Sequence, residues 1–98
     1  MTAREASAKT VMEILDKRMP SHIAIPSMIK KNQDWSVQDR GFAKRLTDGT
    51  VRRLETIDYL LSVFSKTSVN KMKPWIRAVL RMGVYQLMYC EDVPHSAA

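Results

Sequence analysis

The chain has 98 residues, 45% of them hydrophobic and 27% charged, which suffices for one small domain with a modest core and leaves no room for a second. Lysine and arginine outnumber aspartate and glutamate by 16 to 10, and the net charge of +6 favours nucleic acid or another acidic partner. No run reaches the roughly 18 consecutive apolar residues of a membrane span, and residues 1–16 lack the apolar centre of a secretory signal. We therefore expect a cytoplasmic protein with no membrane partner, and the single cysteine, Cys90, excludes an internal disulfide.

The apolar spacing predicts an all-α fold of about five helices, because neither alternating strand patterns nor hairpin dipeptides occur. Thr2 and Glu5 have the spacing of a capping box, so the first helix is predicted to start there and to run to about Lys17. Glu5 with Lys9, and Glu13 with Lys17, are acid-before-base pairs four residues apart that would support this helix.

A short second helix is predicted to reach Lys31, with Pro26 tolerable only near its first turn. Ser36 and Asp39 then mark another helix start, and one long helix over 37–65 is predicted, with a kink near Gly49 as the alternative. The basis is a series of apolar positions spaced by three or four, namely Phe42, Leu46, Thr50, Leu54, Ile57, Leu61 and Phe64.

A helical turn is predicted over 68–72, followed by a final helix from Pro74 to near Cys90 that should be the central element of the domain. Gly83 inside this helix predicts that another helix crosses closely there. Residues 91–94 are typical of a loop followed by a new helix start, and the chain stops at Ala98, so we expect a fragment.

The segment 59–90 carries five basic side chains and no acidic one. Three lysines crowd a short connection within it, and they are the best candidates for a phosphate patch, although a solvated loop explains them about as often. These are Lys66, Lys71 and Lys73. The final helix adds a basic stripe formed by Lys73, Arg77 and Arg81, which is left for water or a ligand.

No catalytic or metal site is predicted. The three glycines stand alone without a preceding strand, which argues against a nucleotide-type pocket, and His22 and His95 lack companion ligands. Cys90 fits a small core residue better than a nucleophile. Trp35 and Trp75 are interpreted as core anchors, with stacking on bases as the alternative.

Several motifs resemble the NusB-like helical domain. They are Asp39-Arg40-Gly41-Phe42-Ala43, then Gly49-Thr50-Val51-Arg52-Arg53-Leu54, then the helix from Pro74-Trp75-Ile76-Arg77 to Tyr85-Gln86-Leu87, then Val93-Pro94. The arginine pair and the Pro-Trp helix start are more similar to the form at the N-terminus of bacterial ribosomal RNA cytosine-5 methyltransferases of the RsmB (Sun, Fmu) type than to free-standing NusB.

The resemblance implies that residues 1–98 are an RNA-binding domain, incomplete at its C-terminus, whose parent enzyme uses S-adenosylmethionine in a catalytic domain that is missing here. It also implies RNA contact through the N-terminal helix, at Arg4 and by extension Lys9, with pairing of Lys9 to Glu5 as an equal alternative. Arg52 and Arg53 are further candidates, with pairing to Asp48 and packing on a neighbouring helix as the alternative.

Three functions stay open from the sequence. The first is a non-catalytic module that positions ribosomal RNA for its own catalytic domain. The second is a transcription antitermination factor that binds RNA and a ribosomal protein, and the third is a purely structural docking domain. Because the last helix would lose part of its cover in a truncated chain, we also expect self-association. As an alternative to binding a ligand, Arg77 and Arg81 are expected to reach acidic groups in the missing helices or catalytic domain.

Overall fold

The computed structural model describes residues 1–90, which form five α-helices, one short 3-10 turn and no strand. The all-α prediction is therefore confirmed. The predicted loop and helix start at 91–98 lie outside the described residues. None of the five helices is both long and apolar enough to cross a membrane. The helices are α1 (Ala3–Asp16), α2 (Ser21–Lys31), α3 (Val37–Arg52), α4 (Leu54–Phe64) and α5 (Pro74–Tyr89), with the 3-10 turn at Val69–Lys71.

Helix α1 begins as predicted. The hydroxyl of Thr2 accepts the backbone N–H of Glu5 at 3.1 Å and donates to the Glu5 carboxylate at 3.0 Å, so one free amide of the helix start is satisfied. The helix ends at Asp16, and Met19 donates its N–H back to the carbonyl of Glu13 at 3.0 Å. Neither acid-before-base pair predicted on this helix forms an ion pair within residues 1–90.

Helix α2 starts earlier than predicted, at Ser21, so Pro26 is its sixth residue and lies in the helix interior. Proline has no N–H, and a helix with proline at this place loses the hydrogen bond to the carbonyl four residues earlier, here that of His22. Such a proline typically costs about 3 kcal/mol. Pro26 is exposed, whereas Ala24 and Met28 bury the opposite side of the same helix.

The predicted continuous helix over 37–65 is wrong, because Arg53 (φ −101°, ψ 20°) separates α3 from α4. A helix of that length would measure about 43 Å at 1.5 Å per residue. The longest dimension of the molecule is 39 Å. The break is short, since Arg53 still donates to the carbonyl of Gly49 at 3.0 Å, and Ile57 donates to the carbonyl of Arg53 at 2.9 Å. The apolar spacing therefore continues across it.

The core lies where α1, α3, α4 and α5 meet, and α1 and α5 pack both on α3 and on each other. Its main cluster includes Val11, Leu46 and Ile57, each 0% exposed, together with Ala78 and Met82 of α5. A second cluster joins the start of α1 to α2 and α3, and consists of Ala6, Met28, Trp35 and Ala43. Phe64, the last residue of the predicted apolar face, is 82% exposed because it lies at the end of α4.

Helix α5 is central on one side only. Its inner side faces α1, α3 and α4, whereas a row of large apolar residues on its outer side is between 40% and 65% exposed. This row comprises Trp75, Ile76, Val79, Leu80 and Leu87. The exposed row agrees with the reasoning behind the predicted self-association, which stays a prediction.

The close helix crossing occurs at a different glycine from the one predicted. A methyl group on Gly83 would meet no atom within 4 Å among the described residues. A methyl group on Gly49 would overlap the ring of Tyr85, which is itself buried. Glycine at position 49 thus lets α5 approach the backbone of α3, and the prediction for Gly83 is wrong within residues 1–90.

Candidate nucleic-acid interface

The connection between α4 and α5 presents the lysines Lys66, Lys71 and Lys73, hereafter the connection lysines. All three are exposed, and none forms an ion pair or side-chain hydrogen bond within residues 1–90. The predicted turn is confirmed as the 3-10 segment Val69–Lys71. Met72, 9% exposed, anchors the connection to the rest of the domain. Exposed lysines without an ion-pair partner can hold phosphate groups.

Two of the three cations in the basic stripe predicted along α5, Arg77 and Arg81, are neutralised within the domain, whereas Lys73 is not. Arg81 is 8% exposed, and its Nε and Nη2 donate to the two carboxylate oxygens of Asp58 at 2.8 and 2.9 Å. Arg77 donates to the carboxylate of Asp16 at 2.7 Å and to the carbonyl of Val69 at 3.2 Å. The two acidic partners lie before residue 59 in the sequence. The sequence pattern within 59–90 therefore suggested more unpaired positive charge than the folded domain has.

Arg4 is half-buried and holds three helices together. Its Nε donates to Oε1 of Gln86 at 3.0 Å, and its guanidinium lies 5.2 Å from the centroid of the Phe42 ring.

Lys9 is exposed at the rim of a cavity of about 180 Å³ between α1 and α2, and Lys31 lines the same cavity. Lys9 forms no ion pair with Glu5 in the described chain, so that alternative is wrong and its RNA contact stays a prediction.

The arginine pair at the α3–α4 junction makes the contacts that the structural alternative predicted. Arg52 pairs with Asp48 at 2.8 Å on the surface, and the guanidinium of Arg53 lies 4.8 Å from the centroid of the Tyr89 ring. Arg45 donates to the carbonyl of Tyr89 at 3.1 Å. A depression of about 350 Å³ is lined by these arginines together with Gly49 and Tyr85. Asp48 also lines this depression and cancels part of the positive charge of the arginines.

A further basic groove contains residues that the sequence reasoning missed. It lies between α2 and α3, measures about 580 Å³, and is lined by three cations and no acidic residue. We call it the α2–α3 groove, and it is formed by Ile25, Pro26, Ile29, Lys30, Gln33, Arg40 and Lys44. The available signal was a spacing of four residues between Pro26 and Lys30 on α2 and between Arg40 and Lys44 on α3, which places each pair on one side of its helix.

The described residues give no sign of a reactive centre. No three His, Cys, Asp or Glu side chains among them are grouped so that they could hold a metal ion. Cys90 is buried in the main core cluster. Trp35 is a core anchor as predicted, and its indole N–H donates to the carbonyl of Met1 at 3.0 Å. Trp75 is not a core anchor, because it belongs to the exposed outer row of α5 and is 44% exposed.

Comparison with known proteins identifies the family. Residues 1–98 match the NusB family, which agrees with the all-helical architecture of residues 1–90. The chain belongs to the NusB family.

Two ribosomal RNA small subunit methyltransferases B, both so named with the qualifier "probable", match this NusB-family domain along almost its whole length. The protein from Bacillus subtilis is 31% identical over 99% of the chain and 21% of its own length. The protein from Synechocystis is 32% identical over 100% of the chain and 22% of its own length. The domain thus spans about a fifth of these relatives. The predicted likeness to this methyltransferase type is confirmed.

Transcription antitermination proteins named NusB match a shorter part of the domain. The one from Pelotomaculum thermopropionicum is 36% identical over 58% of the chain and 40% of its own length. The one from Haemophilus influenzae strain 86-028NP is 31% identical over 65% of the chain and 44% of its own length. No solved structure matches the chain significantly.

Proposed function

We propose that this NusB-family domain binds RNA and positions it, without an active site of its own, within an S-adenosylmethionine-dependent ribosomal RNA (cytosine-5) methyltransferase. The similarity to methyltransferases B over 97 and 98 residues supports the proposal that the domain belongs to such an enzyme. The structural observation that carries the RNA role is the connection-lysine patch, because its three exposed cations have no counter-charge within residues 1–90.

Phosphate binding by such a patch requires no deep pocket. Lysine ammonium groups attract phosphates as point charges, and each contact releases counterions from the RNA. The affinity then falls as salt rises and depends little on RNA sequence. This suits a domain that holds an RNA substrate in place while another part of the protein selects the nucleotide.

We assign the methyl-transfer chemistry to the remainder of the longer protein, together with its S-adenosylmethionine. A nucleotide-type pocket typically uses a glycine-rich turn between a strand and a helix. Here Gly41, Gly49 and Gly83 all lie inside helices, and the described residues contain no strand before them. These residues do not fit the cofactor, so no catalytic step is assigned to them. Ribosomal RNA and the catalytic domain are the proposed partners.

Antitermination is the second candidate, and the matches to NusB proteins favour it. Those matches cover 58% and 65% of the chain, however, against 99% and 100% for the two methyltransferases. The reading frame after Ala98 would distinguish the two: a methyltransferase domain supports the first function, and a stop after about two further helices supports the second.

RNA binding by residues 1–98 can be measured by fluorescence anisotropy with labelled single-stranded RNA at low and moderate salt. We expect Lys71→Glu to weaken binding about fivefold for every RNA tested, because the substitution removes a phosphate contact and adds repulsion. Lys31→Glu is the matched control, because it makes the same charge change at an exposed lysine that is not among the candidate RNA contacts. Equal weakening in both variants would indicate a net-charge effect without a local patch. No binding of the unmodified domain at low salt would remove the RNA role.

A further inference from the structure

The α2–α3 groove holds a cation that helix stability does not explain. Arg40 is the fourth residue of α3, close to the helix start, where the helix dipole disfavours positive charge. Its side chain is half-buried and has neither an ion pair nor a hydrogen bond within residues 1–90. Lys44, one turn later and exposed, is unpaired in the same sense. One wall of the groove therefore offers two cations available for an external anion.

The opposite wall combines charge with an apolar surface. Lys30 follows Pro26 by one helical turn, and both line the groove with Ile25 and Ile29. The isoleucines pack against the cluster that contains Met28, Trp35 and Ala43, so the apolar wall is fixed by buried contacts between α2 and α3. A groove of about 580 Å³ lies within the range of about 300–1,000 Å³ usual for small-ligand sites.

The groove also presents an amide. Gln33 follows the end of α2, is exposed, and lines the same groove. A side-chain amide both donates and accepts hydrogen bonds, as the edge of a nucleobase requires. The fitting ligand therefore carries anionic groups beside a flat, largely apolar ring with polar edges. RNA that is not base-paired offers this combination in every nucleotide, and proteins stack such bases on apolar side chains and on arginine guanidinium planes.

We propose that the α2–α3 groove binds an unpaired nucleotide segment of RNA. Lys30, Arg40 and Lys44 hold its phosphates, while Pro26 and Ile29 support a base. This inference rests on the proposed RNA-binding function and deepens it, because it assigns a single-stranded ligand and a second contact surface besides the connection lysines.

The test uses the adjacent residues Lys30 and Lys31. Both are exposed and both lie in the last turn of α2, but Lys30 lines the α2–α3 groove and Lys31 lines the cavity between α1 and α2. Lys30→Glu and Lys31→Glu therefore make the same charge change at the same helix end. Affinity for a short labelled oligouridylate is measured by anisotropy across a salt series, with circular dichroism as the check on folding.

We expect Lys30→Glu and Arg40→Gln each to weaken oligouridylate binding about fivefold. The slope of log affinity against log salt should fall by about 0.7 for each phosphate group that a variant no longer neutralises. Lys31→Glu should change the affinity less than about twofold. In the unmodified domain, the chemical shifts of backbone amides in 25–33 and 40–44 should change on titration with the oligouridylate. This measurement tests the groove even if a variant is too unstable to use.

The possible outcomes separate this inference from the proposed function. Equal weakening by Lys30→Glu and Lys31→Glu, with unmodified binding intact, overturns the groove and leaves the RNA role standing. No binding by the unmodified domain overturns both. Displacement of the oligouridylate by oligoglutamate of equal charge at equal concentration would show that the groove takes acidic peptides, and it would overturn the assignment to a nucleotide.

Discussion

A methyl group added at Gly49 should destabilise the domain, although alanine favours helices. The change Gly→Ala in a helix interior ordinarily gains about 1 kcal/mol. At Gly49 the new methyl group would occupy space filled by the ring of Tyr85, which is 8% exposed and lies 5.4 Å from the Tyr89 ring, centroid to centroid. Overpacking typically costs about 1–3 kcal/mol. Displacing the ring would also return part of its roughly 150–250 Å² of buried surface to water.

We expect Gly49→Ala to lower the free energy of unfolding by about 2 kcal/mol, since the steric and exposure costs exceed the helix gain. For a domain of this size, that corresponds to a fall in Tm of about 8–16 °C. Urea unfolding followed by circular dichroism gives the free energy by linear extrapolation.

Gly83→Ala is the matched control, because the same chemical change is made inside a helix where the methyl group would meet no atom of residues 1–90 within 4 Å. It should raise stability by up to about 1 kcal/mol. A second control repeats Gly49→Ala in a Tyr85→Leu background, where the shorter side chain should remove most of the penalty. If Gly49→Ala stabilises the domain as Gly83→Ala does, the proposed contact between α3 and the Tyr85 ring is refuted.

Two further predictions concern a buried ion pair and a helix cap. Asp58→Ala should lower the free energy of unfolding by about 1–3 kcal/mol, as measured with urea. The loss is smaller than for a fully buried pair because the Asp58 side chain is 31% exposed. The double variant Asp58→Leu, Arg81→Met should recover most of that stability. Recovery no better than the sum of the single changes would contradict the pairing. Ser36→Ala should cost about 1 kcal/mol, since the Ser36 hydroxyl accepts the N–H of Asp39 at 3.1 Å. Ser36→Asp, which keeps an acceptor, should cost less in the same assay.

Local signals in the sequence located most of the helices. The Thr2 and Ser36 caps and the proline at the start of α5 mark helix starts because they satisfy or avoid free amides in the first turn. The break at Arg53 left no such signal, because the three-and-four apolar spacing runs through it unchanged. What decides the break is the compactness of the tertiary fold, a property that a window of neighbouring residues does not contain.

The candidate site was less predictable, because whether a basic side chain is free or paired depends on acidic residues that are distant in the sequence. Arg77 and Arg81 appeared unpaired only as long as Asp16 and Asp58 were considered remote, and folding brings them to 2.7 and 2.8 Å. The α2–α3 groove was missed for the opposite reason. Lys30 and Arg40 are ordinary surface residues on separate helices until the packing of Met28 and Ala43 brings those helices together.

The position of α1 shapes the order in which the chain completes its fold. Val11 on this helix is fully enclosed by the core, yet that core includes Met82 of α5, more than seventy residues later in the sequence, and Asp16 meets Arg77 across a separation of 61 residues. During synthesis α1 leaves the ribosome well before α5, so its apolar side stays partly uncovered until α5 has emerged. A nascent chain arrested before residue 74 would hold an open, chaperone-accessible intermediate.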